Sequence, residues 1–125
     1  MSVKILIVDD SARLRSLLKS CIEENPRWKV CGEAENGKVA LEKVNALSPD
    51  LVILDWLMPV MSGLEAARQI ARIAPKTAMV MLTLHVSDQL LKEARAVGIE
   101  HVISKTERLG SLVGSLTRAL PELEV

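Results

Sequence analysis

Asp9 and Asp10, Asp55, Thr83 and Lys105 are the residues whose types and setting suit chemistry, because each stands at the end of an apolar run, where a buried segment meets water. Three carboxylates, a hydroxyl and an ammonium on one rim make a hard, anionic site. Such oxygens suit Mg²⁺, which keeps part of its water shell and takes one or two carboxylates together with phosphate oxygens. A carboxylate can also act as a nucleophile that accepts a phosphoryl group. The transferring phosphoryl group carries negative charge on its equatorial oxygens, so it needs a cation, an ammonium and hydrogen-bond donors already in place. Mg²⁺, Lys105 and Thr83 supply that set. Taken singly, the aspartate pair reads as a solvated strand end, Thr83 as a β-former and Lys105 as a surface charge. The reading rests on their combination.

The elements that must position these groups are legible from periodicity. Apolar, β-branched runs cover Lys4–Asp9, Trp28–Ala34, Leu51–Asp55, Thr77–Thr83 and His101–Ser104 at an even beat. Between them the pattern switches to helical spacing, with Leu14, Leu17, Leu18, Cys21 and Ile22 in the first segment and Leu109, Leu112, Val113 and Leu116 in the last. Ser11 is an expected N-cap, and Pro26, Pro49 and Pro75 fall where a helix must stop before the next strand. Runs such as Ile5-Leu6-Ile7-Val8 and Leu51-Val52-Ile53-Leu54 are apolar on both faces, as in a parallel sheet covered by helices on each side. The fold class is therefore α/β, a (βα)5 three-layer sandwich. In such open sheets ligands gather beyond the carboxyl ends of the strands, which is where the reactive residues fall.

Composition excludes several functions. The 125 residues carry 16 Lys+Arg against 16 Asp+Glu, a formal net charge of zero, so there is no global positive field for nucleic acid or an anionic membrane. No Tyr or Phe is present, and only Trp28 and Trp56 provide aromatic faces, so base-stacking platforms are missing. No run approaches a membrane span, and the first residues are too short an apolar stretch for a signal sequence, which points to the cytoplasm. Cys21 and Cys31 are expected as reduced, buried thiols rather than a disulfide. Met58, Met79 and Met81 read as core filling, and His85 and His101 are too isolated for zinc. No GxGxxG or GxxxxGK run cradles a nucleotide phosphate.

Val8-Asp9-Asp10, Asp55 followed by Met58-Pro59 and Gly63, Leu82-Thr83 and Lys105 together resemble the receiver domain of bacterial two-component response regulators, over about residues 3 to 120. Val30–Gly37 and Gly63–Ala67 are similar to receivers that precede LuxR-type DNA-binding domains. The resemblance implies a CheY-like, flavodoxin-like topology with strand order 2-1-3-4-5. It implies Asp55 as phosphoacceptor, Asp9 and Asp10 as acidic metal-site residues, and the Leu57 backbone carbonyl as a further Mg²⁺ ligand. Thr83 becomes the switch hydroxyl and Lys105 the phosphoryl-binding ammonium.

The expectation is one receiver domain spanning residues 1–125, with a short C-terminal tail from Pro121. It would take phosphoryl from a sensor histidine kinase or phosphotransfer protein and signal by conformational change. It is not a conventional enzyme, although it catalyses its own phosphorylation and dephosphorylation. A downstream protein partner would read the face formed by helix four, strand five and helix five, and a phosphorylation-linked dimer is one such arrangement. The alternative is the receiver portion of a LuxR-type regulator. A phosphatase of similar fold would need a second aspartate two residues after the nucleophile, where Leu57 stands. Three positions depart from the family pattern: Thr106 replaces a proline after the lysine, Val102 replaces an aromatic switch, and Leu84 replaces a small residue after the switch hydroxyl.

Overall fold

The computed structural model describes residues 2–84, 86–99, 101–105, 114 and 116. Five strands, β1 (Val3–Val8), β2 (Trp28–Ala34), β3 (Leu51–Asp55), β4 (Ala78–Thr83) and β5 (His101–Ser104), form one parallel sheet of order β2-β1-β3-β4-β5. Four helices, α1 (Ala12–Ile22), α2 (Gly37–Leu47), α3 (Gly63–Ile73) and α4 (Asp88–Ala96), alternate with them. The expected strands hold to within one residue at each end. Asp9 lies just past β1 because the chain turns there into the α1 cap, and Thr77 stays outside β4 because its amide closes a turn onto Ala74.

Alternation along the strands divides the core in two. Ile5, Ile7, Leu51, Ile53, Val80, Leu82 and Ile103 face α1 and Leu116, whereas Leu6, Val8, Val52, Leu54, Met79 and Met81 face α2, α3 and α4. Both faces of β1 and β3 are thus dry, and each fully buried Leu, Ile or Val contributes about 1.5–3 kcal/mol relative to exposure. Met58 packs as a half-buried neighbour of the second cluster. The expected last helix lies outside the described residues apart from Gly114 and Leu116, both helical, with Leu116 buried against the α1 side. The tail from Pro121 lies outside them too.

The first helix corrects one expectation. Leu18 and Ile22 are buried and Leu14 packs against the core, but Leu17 is 42% exposed. At about 100° per residue, Leu14, Leu18 and Ile22 share a narrow stripe while Leu17 sits a full step to its side. Cys21 and Cys31 are free but only half-buried, and burial pushes the Cys31 thiol up from its usual range. Among the described residues no helix is long and apolar enough to cross a membrane.

Ser11, Asn36, Ser62 and Ser87 each cap a helix by accepting the amide three residues on, and because α1–α4 each follow a strand of the parallel sheet, these starts lie at its carboxyl end.

Candidate functional site

The strand order reverses beside β1 and β3, so their carboxyl ends frame a crevice rather than a continuous edge. Asp9 follows β1, Asp55 ends β3, Thr83 ends β4 and Lys105 follows β5. The sheet register brings all of them to the same rim. Asp9 is 2% exposed, and its amide donates to the Ala34 carbonyl at 3.0 Å while its Oδ1 accepts the Ser11 amide at 2.8 Å. Asp10 is exposed, and its carboxylate makes no hydrogen bond or ion pair with a described residue. Asp55 and Thr83 are buried.

Lys105 joins the parts. Its Nζ lies 2.9 Å from Asp9 Oδ2 and 2.9 Å from Asp55 Oδ1, and its amide donates to the Thr83 carbonyl at 2.7 Å. One carboxylate oxygen from each of Asp9, Asp10 and Asp55 lies within 4.8 Å of the others. Burial raises the Asp55 carboxyl above the usual range, with Asp9 and Asp10 adding to the effect and Lys105 opposing it. For Lys105, burial acts to lower the ammonium, but its pairing with the Asp9 and Asp55 carboxylates wins and holds it above its usual value. A crowded anionic trio with one ammonium favours any added cation that relieves the repulsion. The donors are all hard oxygens, which fits a divalent ion such as Mg²⁺ and does not suit a soft metal.

A cavity of about 420 Å³ opens over these groups, lined by Asp10, Asp55, Trp56, Leu57, Thr83, Leu84 and Lys105. Two of its exposed lining residues are apolar: Leu57 is 71% and Leu84 60% exposed. The start of α3 packs against the end of β3. Gly63 donates to the Trp56 carbonyl at 2.8 Å, and a Cβ at Gly63 would sit 1.9 Å from the Asp55 carbonyl oxygen, so only glycine lets α3 begin this close to the strand end.

Between Asp55 and α3 the chain makes a three-residue turn closed by the Met61 amide on the Pro59 carbonyl at 2.7 Å, with Val60 at φ +69°. That is the strained hand of the γ-turn, in a β-branched residue. Nothing in the sequence marked it.

Every expected site residue reaches the rim. Of the three departures, Leu84 lines the cavity, Val102 is half-buried beside the second core cluster, and Thr106 lies outside the described residues. Sequence reasoning missed Arg15, whose guanidinium donates to both the Asp9 carbonyl and Glu33. No local spacing signals that pair, because Glu33 comes from the neighbouring strand.

Residues 5–117 match the family described as the response regulator receiver domain. The chain is 38% identical over 117 residues to the transcriptional regulatory protein YdfI of Bacillus subtilis, covering 94% of this chain and 54% of that protein. It is 36% identical over 124 residues to a protein-glutamate methylesterase/protein-glutamine glutaminase of Methanosarcina acetivorans, covering 98% of this chain and 33% of that protein. The chain thus spans about half or less of these relatives. The crystal structure of the response regulator domain of Thermotoga maritima CheB superposes with a TM-score of 0.90 at 30% identity, covering 100% of this chain and 98% of that one.

Proposed function

The chain belongs to the response regulator receiver domain family of two-component signalling, and on that premise we propose that Asp55 is its phosphoacceptor. In the proposed reaction an Asp55 carboxylate oxygen attacks the phosphorus of a phosphohistidine on a sensor kinase or phosphotransfer protein. The new O–P bond forms as the P–N bond breaks, the electron pair returns to the imidazole nitrogen, and that nitrogen takes up a proton. The observation that carries the reading is Lys105 held 2.9 Å from both Asp9 and Asp55 within the carboxylate trio.

Asp9, Asp10, Asp55 and the Leu57 backbone carbonyl would hold Mg²⁺, which supplies positive charge against the carboxylates and the phosphoryl oxygens. Lys105 provides a fixed ammonium for one phosphoryl oxygen and Thr83 a hydroxyl for another. The 125 residues act as a single receiver unit in the cytoplasm, and output is protein contact through the α4 and β5 side. The catalysis is confined to the chain's own phosphorylation and its reversal by water.

Incubation with acetyl phosphate and Mg²⁺, followed by intact-mass analysis, tests the assignment. A single phosphoryl adduct that disappears in Asp55→Asn and without Mg²⁺ is expected. Equal labelling of Asp55→Asn overturns it.

A further inference from the structure

Three of the four polar atoms of Asp9 are hydrogen-bonded, and the buried Oδ2 has an ion pair and no hydrogen bond. Its amide donates to Ala34, Oδ1 accepts Ser11, Oδ2 pairs with Lys105, and its carbonyl accepts Nη1 of Arg15. The first three are accounted for by the sheet, the helix cap and the ammonium. The fourth comes from the second turn of α1, reaching back over its own N-terminus. The same guanidinium donates from Nε to Glu33 Oε1 at 3.0 Å, and the Arg15 side chain is only 15% exposed. Glu33 lies on β2 opposite Ile7, so the fork spans from α1 to the sheet edge and ends on the peptide that joins Asp9 to Asp10.

A trans peptide is planar, so fixing the Asp9 carbonyl fixes the plane that carries the Asp10 nitrogen and Cα. Asp10 has no side-chain hydrogen bond or ion pair with a described residue to aim its carboxylate. We propose that Arg15, oriented by Glu33, is a positioning residue that sets the direction of the Asp10 carboxylate toward the metal site. This rests on the reading of Asp9 and Asp10 as Mg²⁺ residues. The chemistry requires a guanidinium: two donors in a rigid plane serve two acceptors at once, whereas a lysine ammonium on a flexible stem holds one geometry less well. Glu33 also offsets the charge of Arg15, so that the clamp does not set a bare cation beside a cation site.

The sign of one measurement separates positioning from simple electrostatics. Judged on charge alone, deleting a cation near the site tightens Mg²⁺ binding; loss of aim weakens it. Titration with MgCl2, followed by Trp56 fluorescence and by calorimetry, gives the Kd for wild type, Arg15→Ala, Arg15→Lys, Glu33→Ala and Asp10→Asn, with a urea unfolding curve for each. Outer-shell partners of metal ligands are worth about 10–100-fold in affinity, and we expect about a tenfold higher Kd for Arg15→Ala. Arg15→Lys should recover only part of it; Glu33→Ala should weaken binding several-fold, the sign that charge alone also gives, so the Arg15 variants carry the distinction. An unchanged or lower Kd in folded Arg15→Ala or Arg15→Lys, alongside a large loss in Asp10→Asn, overturns the clamp and leaves the metal assignment standing. An unchanged Kd in Asp10→Asn overturns the metal assignment and the clamp with it. A fall in unfolding midpoint with no change in Kd marks Arg15 as structural only and refutes the proposal.

Discussion

Val60 offers a quantitative test of how the site's outer loop is held. Its φ of +69° places a β-branched side chain in the left-handed region, at a strain of about 1–3 kcal/mol. The side chain is 76% exposed. Since full burial of a valine is worth about 1.5–3 kcal/mol, the quarter that is covered contributes about 0.4–0.7 kcal/mol. Asparagine accepts positive φ more readily than a β-branched residue, so Val60→Asn should recover part of the strain, a net gain of at most about 2.6 kcal/mol once the lost packing is subtracted. Val60→Gly removes the Cβ clash altogether but adds about 0.4–1 kcal/mol of unfolded-chain entropy. Both variants are expected to be more stable than wild type. Urea unfolding with a shared m-value reads the gain directly from the midpoints. Val86, another exposed valine but without positive φ, is the control, and Val86→Asn should be neutral or slightly destabilising. If Val60→Asn is no more stable than wild type, or if both valine substitutions shift the midpoint alike, backbone strain is not what distinguishes Val60.

The raised Asp55 carboxyl makes the folded state hold a proton more tightly than the unfolded chain, so stability falls as pH rises from the ordinary aspartate range through the raised value. Asp55→Asn should therefore melt higher than wild type at about pH 7 and lose that advantage at about pH 4, whereas a pH-independent difference would contradict the assigned cause. The Lys105 contribution is present through neutral pH and is lost only as pH climbs past its raised ammonium. Leu57 and Leu84 present apolar side chains at the cavity that cannot orient water, so the acyl phosphate should be long-lived, and Leu57→Asn with Leu84→Ala should speed its decay by about tenfold. Unchanged decay in the double variant would show that neither side chain limits access. Val102 has a single stiff χ1 and cannot swing as an aromatic would, so Thr83→Ala should uncouple labelling of Asp55 from NMR shifts in residues 86–94 while Val102→Ala leaves them coupled. The reverse pattern would place the route through β5.

The strands were legible because each is a short β-branched run with a polar terminus, and the parallel sheet followed from apolar residues on both faces of β1 and β3. The site was legible for the same reason: Asp9, Asp55, Thr83 and Lys105 are the first reactive groups after those runs, and the topology brings such ends together. The Leu17 error arose from reading a stripe by spacing alone, when one step of rotation separates a covered position from an open one. Arg15 with Glu33 stayed hidden because their contact depends on β2 lying beside β1, with a register shift between Ile5 and Leu6. Val60 stayed hidden because valine is the wrong residue for its backbone, so propensity argued against the turn that forms there.

Lys105 links four strand ends at once, through its amide to β4 and through its ammonium to the residues closing β1 and β3, while itself extending the edge strand β5. Such a junction makes influence reciprocal. Any partner that grips the β4–β5 edge more tightly once the ammonium has turned to a phosphoryl group must favour occupancy at Asp55 by the same factor, about 5–150-fold for a typical coupling of about 1–3 kcal/mol. On the proposed function, a protein that receives the signal would then also be an effector of its input.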